Sequence, residues 1–262
     1  VNGCSATDCV TITEPAAFSI TFSNTSPSCA SNSDGTTTAS VTGGVGAPSF
    51  LWDTGETTAN LVALTAGSYC VTVTDVIGCF DSSCTAVLDP IAISLVSSQN
   101  NMACHGGNNA DASIVATGGV GGFVYSWDIA AAAQTTSTAT GLSAGIYCVT
   151  ATDTNNCTDS LCVTITQPSP LALNASITTN YNGQDISCNG ASDASISALV
   201  SGGTSFYDGS YPFAWTGPLG SLNSINDVCS QPAESCFDSL PFGQYIIFTI
   251  DTFGCTASQK YR

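Results

Sequence analysis

The sequence predicts an all-β fold of tandem β-sandwich modules, arranged in a rod-like array and stapled by disulfides. Serine, threonine, glycine and valine are abundant and only 8% of the residues are charged, a composition typical of strands and turns. Short runs of alternating apolar and polar residues, separated by Gly, Asn, Asp and Pro, predict several strands per module. The 14 cysteines beside one histidine favour disulfides over zinc sites, and therefore an oxidising, extracellular setting.

The charge balance excludes several classes of partner. The chain has 2 Lys+Arg against 19 Asp+Glu, which gives a formal net charge of -17 at pH 7. Nucleic acids and anionic membranes are bound mainly through cationic side chains, so neither is expected as a partner. No apolar run approaches the ~18 residues of a membrane-spanning helix, so no membrane insertion is expected. Divalent cations and basic surfaces are the partners that this charge favours.

Internal repeats define the domain organisation. The opening segment VNGCSATDCVTITEP matches segments that end at Pro90 and Pro168. We interpret residues 1–15 as the last strand of a preceding module, with donation of this strand to another subunit as the alternative. Each boundary proline is followed at once by an apolar strand, which leaves little linker and predicts the rod. Three fuller modules are predicted at residues 16–90, 91–168 and 169–262, the last with an insertion.

The same landmarks recur in each module in the same order. A turn-rich cluster with a cysteine opens the module, and a glycine pair, an aromatic strand ending in Trp, an L-x-x-G-x-Y segment and a cysteine-bearing turn follow. The Trp and Tyr resemble the buried Trp and the tyrosine corner of immunoglobulin-like domains, so we predict that both pack in the core. These residues are Trp52, Trp127, Trp215, Tyr69, Tyr147 and Tyr245.

Two cysteine pairs flank predicted hairpins. Cys70 and Cys84 are equidistant from Ile77, and strand alternation places both on the Thr-bearing outer face. The same spacing recurs one module later. We therefore predict the cross-strand bonds Cys70–Cys84 and Cys148–Cys162.

The remaining cysteines are predicted to pair within their own modules. We name the cysteine that opens each module the loop cysteine and the one in its last turn the turn cysteine. A disulfide that closes a loop of about 50 residues would lower the entropy of the unfolded chain and so stabilise the folded state by ~4 kcal/mol. Cys4 and Cys9 correspond to Cys79 and Cys84, but no module precedes them. The expected bonds are Cys29–Cys79, Cys104–Cys157, Cys188–Cys255 and, within the insertion, Cys229–Cys236.

Several ordered motifs resemble the SprB-type repeat of cell-surface adhesins in gliding, Bacteroidetes-type bacteria. The family pattern is approximately CNGxxDGxI, GGxxPYxYxW, LxAGxYxVTVTDxxGC and VTITEP. This chain has SCNGASDASI at Cys188, GGVGGFVYSW ending at Trp127, LTAGSYCVTVTD from Leu64 and CVTITEP from Cys9. The hairpin cysteines depart from the pattern. The resemblance implies a secreted, repeat-built adhesin or filament component at the cell surface.

Aspartates are the candidate metal ligands. If Cys29 pairs with Cys79, three aspartates of the first module gather at one pole, and their counterparts gather in the next module. Calcium takes six to eight oxygen ligands, so such clusters could bind it at module junctions. The alternative is that these side chains cap turns. The candidates are Asp34, Asp75, Asp81, Asp111, Asp153 and Asp159.

The sequence carries no constellation typical of catalysis, and no enzyme is predicted. His105 is the one histidine, and the other modules have Ala30 and Asn189 at its position, so we interpret it as a loop substitution. The predicted function is an extracellular structural role as a repeat segment of a surface filament or adhesin stalk. Its expected partners are neighbouring repeats, further copies or surface glycans. The alternative is a carbohydrate-binding or spacer module of a secreted enzyme.

Overall fold

The computed structural model describes residues 3–4, 6–218, 220–222 and 234–261. Within these residues the regular secondary structure is almost entirely β, which confirms the predicted fold class, and no helix is long and apolar enough to cross a membrane. The chain divides into two compact units. One comprises Val1–Leu95, Ala116–Val124 and Ala151–Asp159, and the other comprises Val96–Val115, Tyr125–Thr150 and Ser160–Arg262.

The first sequence repeat forms two antiparallel three-stranded sheets, in the orders β1-β2-β4 and β3-β5-β6. Apolar side chains on alternate positions of both sheets meet in one core, as in a β-sandwich. Trp52 is 2% exposed there and its ring lies 6.1 Å from that of Phe22. The strands are β1 Ser19–Thr25, β2 Gly35–Thr42, β3 Ser49–Trp52, β4 Asn60–Leu64, β5 Gly67–Thr74 and β6 Phe80–Val87.

The second repeat has the same sheet orders, β10-β8-β7 and β12-β11-β9. A short 3-10 helix, Ile129–Ala131, follows the second tryptophan strand and is capped by the Asp128 side chain, which accepts a hydrogen bond from the Ala131 N–H. The strands are β7 Ser94–Asn100, β8 Ala110–Thr117, β9 Val124–Trp127, β10 Thr138–Leu142, β11 Gly145–Thr152 and β12 Thr158–Ile165.

The third repeat has sheets in the orders β13-β14-β17 and β16-β15-β18-β19. Its core also draws on both sheets, and the Trp215 and Phe237 rings lie 4.6 Å apart in it. The strands are β13 Ala172–Ile177, β14 Ala194–Ser201, β15 Phe213–Gly217, β16 Gly220–Leu222, β17 Glu234–Leu240, β18 Tyr245–Ile250 and β19 Thr256–Tyr261.

The tryptophan landmarks and two of the tyrosine landmarks take the predicted core positions. All three tryptophans, Tyr147 and Tyr245 are buried, and Tyr69 is half-buried against the core of the first repeat. Each tyrosine hydroxyl donates to the carbonyl oxygen four residues upstream, which is the geometry of a tyrosine corner. The three bonds are Tyr69 to Thr65 at 2.8 Å, Tyr147 to Ser143 at 3.0 Å and Tyr245 to Pro241 at 2.6 Å.

Each sandwich has two distinct ends, as the first repeat shows. The chain enters at the end that holds the β5–β6 turn, where the Gly44 N–H donates to the Ala16 carbonyl at 2.8 Å. It leaves at the opposite end, where the start of β2 packs so closely on the end of β6 that a Cβ on Gly35 would lie 3.1 Å from Val87 Cγ1. We call these ends the turn pole and the exit pole. Because β2 has 8 residues, they are about 26 Å apart.

Candidate functional site: disulfide-linked junctions between repeats

The loop and turn cysteines join successive repeats. Cys29 of the first repeat bonds Cys157 of the second, and Cys104 of the second bonds Cys255 of the third, with Cα–Cα distances of 5.5 and 5.6 Å. Each bond lies within one of the two compact units. The loop cysteine therefore reaches the turn cysteine of the next repeat along the chain.

These bonds correct the predicted pairing of Cys29 with Cys79, Cys104 with Cys157 and Cys188 with Cys255. In the first repeat the loop cysteine precedes β2 at the exit pole, whereas the turn cysteine lies at the turn pole. The length of β2 exceeds the ~7 Å Cα–Cα limit for a disulfide several-fold. A shorter loop costs less entropy to close, but strand geometry forbids that closure here.

The two hairpin disulfides were predicted correctly. Cys70–Cys84 and Cys148–Cys162 each have a Cα–Cα distance of 4.0 Å, and Cys70 faces Cys84 directly in the β5–β6 register. Local alternation and turn symmetry suffice to place such cross-strand pairs. The Cys229–Cys236 pair remains a prediction because Cys229 lies outside the described residues.

Polar contacts surround the first junction disulfide. The Asn155 side chain donates to the Ser28 carbonyl at 3.2 Å, and the Gly119 N–H donates to the Ile91 carbonyl at 2.9 Å. An open cleft of about 490 Å³ runs beside the bond between Cys29 and Cys157, lined also by Pro90 and Asp153. The end of the first repeat and the turn pole of the second are thus held together by the disulfide and by the hydrogen bond from the Asn155 side chain, whereas the bond between Gly119 and Ile91 lies within the second repeat.

His105 lies beside Cys104 at the second junction and contacts the last residues of its own repeat. The imidazole Nδ1 lies 3.1 Å from the Pro168 carbonyl oxygen, which can only accept, so Nδ1 carries the proton. The neighbouring Gly106 N–H donates to the Gln167 side chain at 2.8 Å. The histidine therefore contacts the boundary segment beside Cys104, a role that its loop position in the sequence did not indicate.

The same geometry holds the turn cysteine in each of the three repeats. In each, one aspartate side chain accepts hydrogen bonds from three backbone N–H groups. Asp75 accepts from Val45, Ile77 and Cys79 at 3.1, 3.1 and 2.9 Å. Burial raises the pKa of this carboxyl, but the three N–H donors outweigh burial and hold the pKa below its ordinary value. The aspartate ties the hairpin turn to the loop after β2.

The other two repeats repeat this arrangement. Asp153 accepts from Val120, Asn155 and Cys157 at 2.8, 2.9 and 2.9 Å. Its pKa is also held below the ordinary value, because these donors outweigh the effect of burial. Asp251 accepts from Thr204, Phe253 and Cys255 at 3.0, 3.0 and 2.9 Å. Asp251 was not among the sequence candidates, although its place four residues before the turn cysteine marks it as the third member.

The predicted gathering of aspartates at one pole is wrong, because it depended on the Cys29–Cys79 bond. Asp34 lies at the exit pole, where it accepts from the Ser28 N–H at 2.9 Å, and hydrogen bonds from Ser28 lower its pKa. Asp81 accepts from the adjacent Ser82 N–H, and Asp111 accepts from the Asn100 side chain. Asp159 lines the first junction cleft with Asp153.

Metal-ligating side chains do not cluster in the described part of the chain. Across residues 3–4, 6–218, 220–222 and 234–261, no three His, Cys, Asp or Glu side chains are grouped so that they could hold a metal ion. The carboxylates at the turns are instead engaged by backbone N–H groups. Turn capping, the alternative interpretation, accounts for the contacts of Asp75 and Asp153, whereas Asp111 accepts from a side chain on the neighbouring strand.

Four cysteines among the described residues form no disulfide, and all are exposed: Cys4, Cys9, Cys79 and Cys188. Cys79 is the turn cysteine of the first repeat, and Cys188 is the loop cysteine of the third repeat.

Comparisons with known proteins were made on the sequence and on the fold. No similar protein was found among curated proteins. Among solved structures, one similar structure contains the N-terminal eight Ig domains of Down Syndrome Cell Adhesion Molecule. The match covers 84% of this chain and 32% of that chain, with a TM-score of 0.36 and 11% sequence identity. This chain thus spans about a third of that one.

Two further solved structures are similar at the same level. A tetra-tandem repeat from the extending region of a large adhesion protein matches 93% of this chain and 73% of its own, with a TM-score of 0.29 and 15% identity. Extracellular cadherin domains 1-4 of protocadherin gamma B7 match 95% and 71%, with a TM-score of 0.32 and 12% identity. At these scores the likenesses carry no argument about function.

The family comparison is more specific. The family model described as SprB repeat matches residues 96–131 and 180–220. Both segments contain a loop cysteine, and they reach the tryptophan strands of the second and third repeats. These matches confirm the resemblance inferred from the sequence motifs.

Proposed function

We propose that this protein is an extracellular structural protein, a repeat segment of a surface filament or adhesin stalk with a mechanical role. The observation that carries this proposal is the pair of disulfides that cross the repeat junctions. A covalent bond between the exit pole of one repeat and the turn pole of the next transmits tension without relying on the short connecting segment. The match to the SprB repeat supports an adhesin-type role.

The junction contacts support the same proposal. At the first junction the Cys29–Cys157 disulfide and the hydrogen bond from the Asn155 side chain to the Ser28 carbonyl both join one repeat to the next, so bending there strains a covalent bond as well as a hydrogen bond. Disulfides of this kind persist in oxidising, extracellular surroundings and are rare where thiols are kept reduced. Catalysis is not part of the proposal, because the polar groups at the junctions are engaged in capping and bridging.

The opening segment, residues 1–15, has the sequence of a last strand, but its described apolar side chains are exposed. Val10 and Ile12 are 85% and 94% exposed, whereas Val163 and Ile165, which occupy the same positions in the second repeat, are 4% and 2% exposed. We propose that residues 1–15 form the last strand of a preceding repeat or are donated to another subunit. Persistence of filaments after deletion of residues 1–15 would exclude donation.

The test of the proposed function is location and form in the native material. Antibodies against the chain should label fibres or stalks on intact cells in negative-stain electron microscopy. Brief protease treatment of intact cells should remove the label. Labelling confined to the cell interior, or to separate globular particles, would contradict the proposal. A glycan array would decide whether surface glycans are among the ligands.

A further inference from the structure

The loop between β14 and β15 carries an aromatic insertion that the other two repeats lack. In the first repeat Trp52 follows Gly44 by 8 residues, and the second repeat has the same spacing, whereas in the third Trp215 follows Gly203 by 12 residues. The added residues fall within the segment SFYDGSY, which holds three aromatic residues and one aspartate. Core packing does not account for the insertion, because the two shorter loops serve the same sandwich.

Hydrogen bonds fix the conformation of this loop. The Gly209 N–H donates to the Phe206 carbonyl at 2.8 Å and the Phe206 N–H donates to the Ser210 carbonyl at 3.1 Å, which closes a tight turn. The Thr252 hydroxyl, on the neighbouring hairpin turn, donates to the Ser205 carbonyl at 2.8 Å. The side chains on the turn are therefore held in place before a ligand arrives, and binding needs little further ordering.

Two aromatic side chains at the tip of the loop face solvent. Tyr207 is fully exposed and Phe206 is 37% exposed, whereas the third aromatic residue, Tyr211, donates to the Gly202 carbonyl at 2.7 Å and is half-buried. Among the described residues, none makes a hydrogen bond with the Tyr207 hydroxyl. The two exposed rings, which we call the tip platform, thus offer apolar surface that the sandwich itself does not cover.

An ionised carboxylate lies beside the tip platform. Asp208 Oδ1 accepts from the Ser210 hydroxyl at 2.6 Å and from the Ser210 N–H at 2.9 Å. These two bonds hold the pKa of Asp208 below its ordinary value. Within the part of the chain that the structure describes, no donor reaches Oδ2. That oxygen is therefore available to accept a hydrogen bond from a ligand.

Aromatic rings beside a free carboxylate oxygen match the surface of a neutral sugar. A pyranose with equatorial hydroxyls has apolar faces of axial C–H groups, which pack on an aromatic ring, and its hydroxyls donate to a carboxylate. Phosphate, sulfate and uronate groups are repelled by Asp208 and by the formal net charge of -17. The two rings expose roughly 300 Å², well under the ~800 Å² that each partner buries in a stable protein interface, so they suit a few sugar units.

We propose that the loop of residues 205–211 binds neutral polysaccharides built from equatorially substituted pyranoses, the class to which β-glucans belong. The sugar rings stack on Tyr207 and Phe206, and their hydroxyls donate to Asp208. This inference rests on the proposed adhesin role and names its ligand. A shallow platform holds one sugar chain weakly, and many copies of a surface protein turn weak contacts into firm attachment.

The test is affinity electrophoresis of the 262-residue chain in native gels that contain barley β-glucan. The expected result is slower migration than in gels without polysaccharide, and no slowing in gels that contain alginate, a polymer of uronates. Tyr207→Ala should raise the apparent Kd for β-glucan roughly tenfold or more, and Asp208→Asn should raise it by a smaller factor. The matched control is Phe80→Ala, which removes a 71% exposed aromatic side chain of the first repeat and should change nothing.

A loop exchange supplies a second variant. Replacing residues 204–211 with Val120–Phe123 of the second repeat restores the shorter spacing, and should keep the melting temperature while abolishing the slowing in β-glucan. The proposal is overturned if β-glucan does not slow the parent chain, if alginate slows it, or if Tyr207→Ala migrates like the parent. A parent chain that ignores β-glucan but binds a protein through Tyr207 would also overturn it. Surface fibres seen together with any of these results would leave the proposed function standing.

Discussion

The pairing of Cys29 with Cys157 can be tested by pulling on single molecules. In the double variant Cys104→Ser/Cys255→Ser, the first junction bond remains and bypasses a sequence separation of 128 residues. The covalent path between the chain ends then follows residues 1–29 and 157–262. This path contains about 130 residues and extends to ~46 nm at ~3.5 Å per residue.

A bond within the first repeat would give a different length. If Cys29 paired with Cys79 and the second hairpin bond stayed intact, the path would contain about 200 residues and extend to ~70 nm. Optical-tweezer or atomic-force unfolding resolves a difference of more than 20 nm, and reductant should lengthen the same variant to ~92 nm, the length of about 262 extended residues. An oxidised contour length near 70 nm would refute the assignment of the junction and the mechanical reasoning built on it.

Three further results are expected. Tyr147→Phe removes the hydroxyl bond to the Ser143 carbonyl and should lower the free energy of unfolding by about 1 kcal/mol in urea titrations, whereas an unchanged stability would contradict a corner role. The Cys70→Ala/Cys84→Ala variant lacks the disulfide that closes a 14-residue loop, and its free energy of unfolding in guanidinium titrations should be lower by about 3 kcal/mol, whereas an unchanged value would contradict a stabilising role for this bond. The pKa of Asp153 is lower in the folded state than in the unfolded state, so the unfolded state binds more protons in acid. The stabilisation that this carboxylate gives the folded state is therefore present above pH ~4 and is lost as the pH falls through the folded pKa. Asp153→Asn should therefore flatten the fall in melting temperature between pH 5 and about 2.5, and an unchanged slope would show that the three N–H donors do not favour the charged form.

Local regularities in the sequence predicted the fold well. Alternation and turn symmetry placed Cys70 opposite Cys84, and the L-x-x-G-x-Y segment located the tyrosine corners, because each depends on residues that are close in the chain. The tryptophans were likewise predicted to be core residues from their place at the end of an aromatic strand.

The junctions could not be predicted from the same regularities. The separation between Cys29 and Cys79 favours their pairing on loop entropy, and only the direction of β2 shows that they lie at opposite poles. The sequence did contain the signal for the capping aspartates, since Asp75, Asp153 and Asp251 each stand four residues before a turn cysteine. Recognising their role required the loop after β2, which reaches the turn only in three dimensions.

The two junction disulfides also overlap along the sequence, because Cys104 lies between Cys29 and Cys157, while Cys157 lies between Cys104 and Cys255. A single backbone cleavage anywhere between Cys29 and Cys255 therefore leaves both fragments attached through at least one sulfur bridge. A protease that nicks one exposed loop would not sever the molecule. Damage of this kind would be tolerated until reduction or a second cut released a piece.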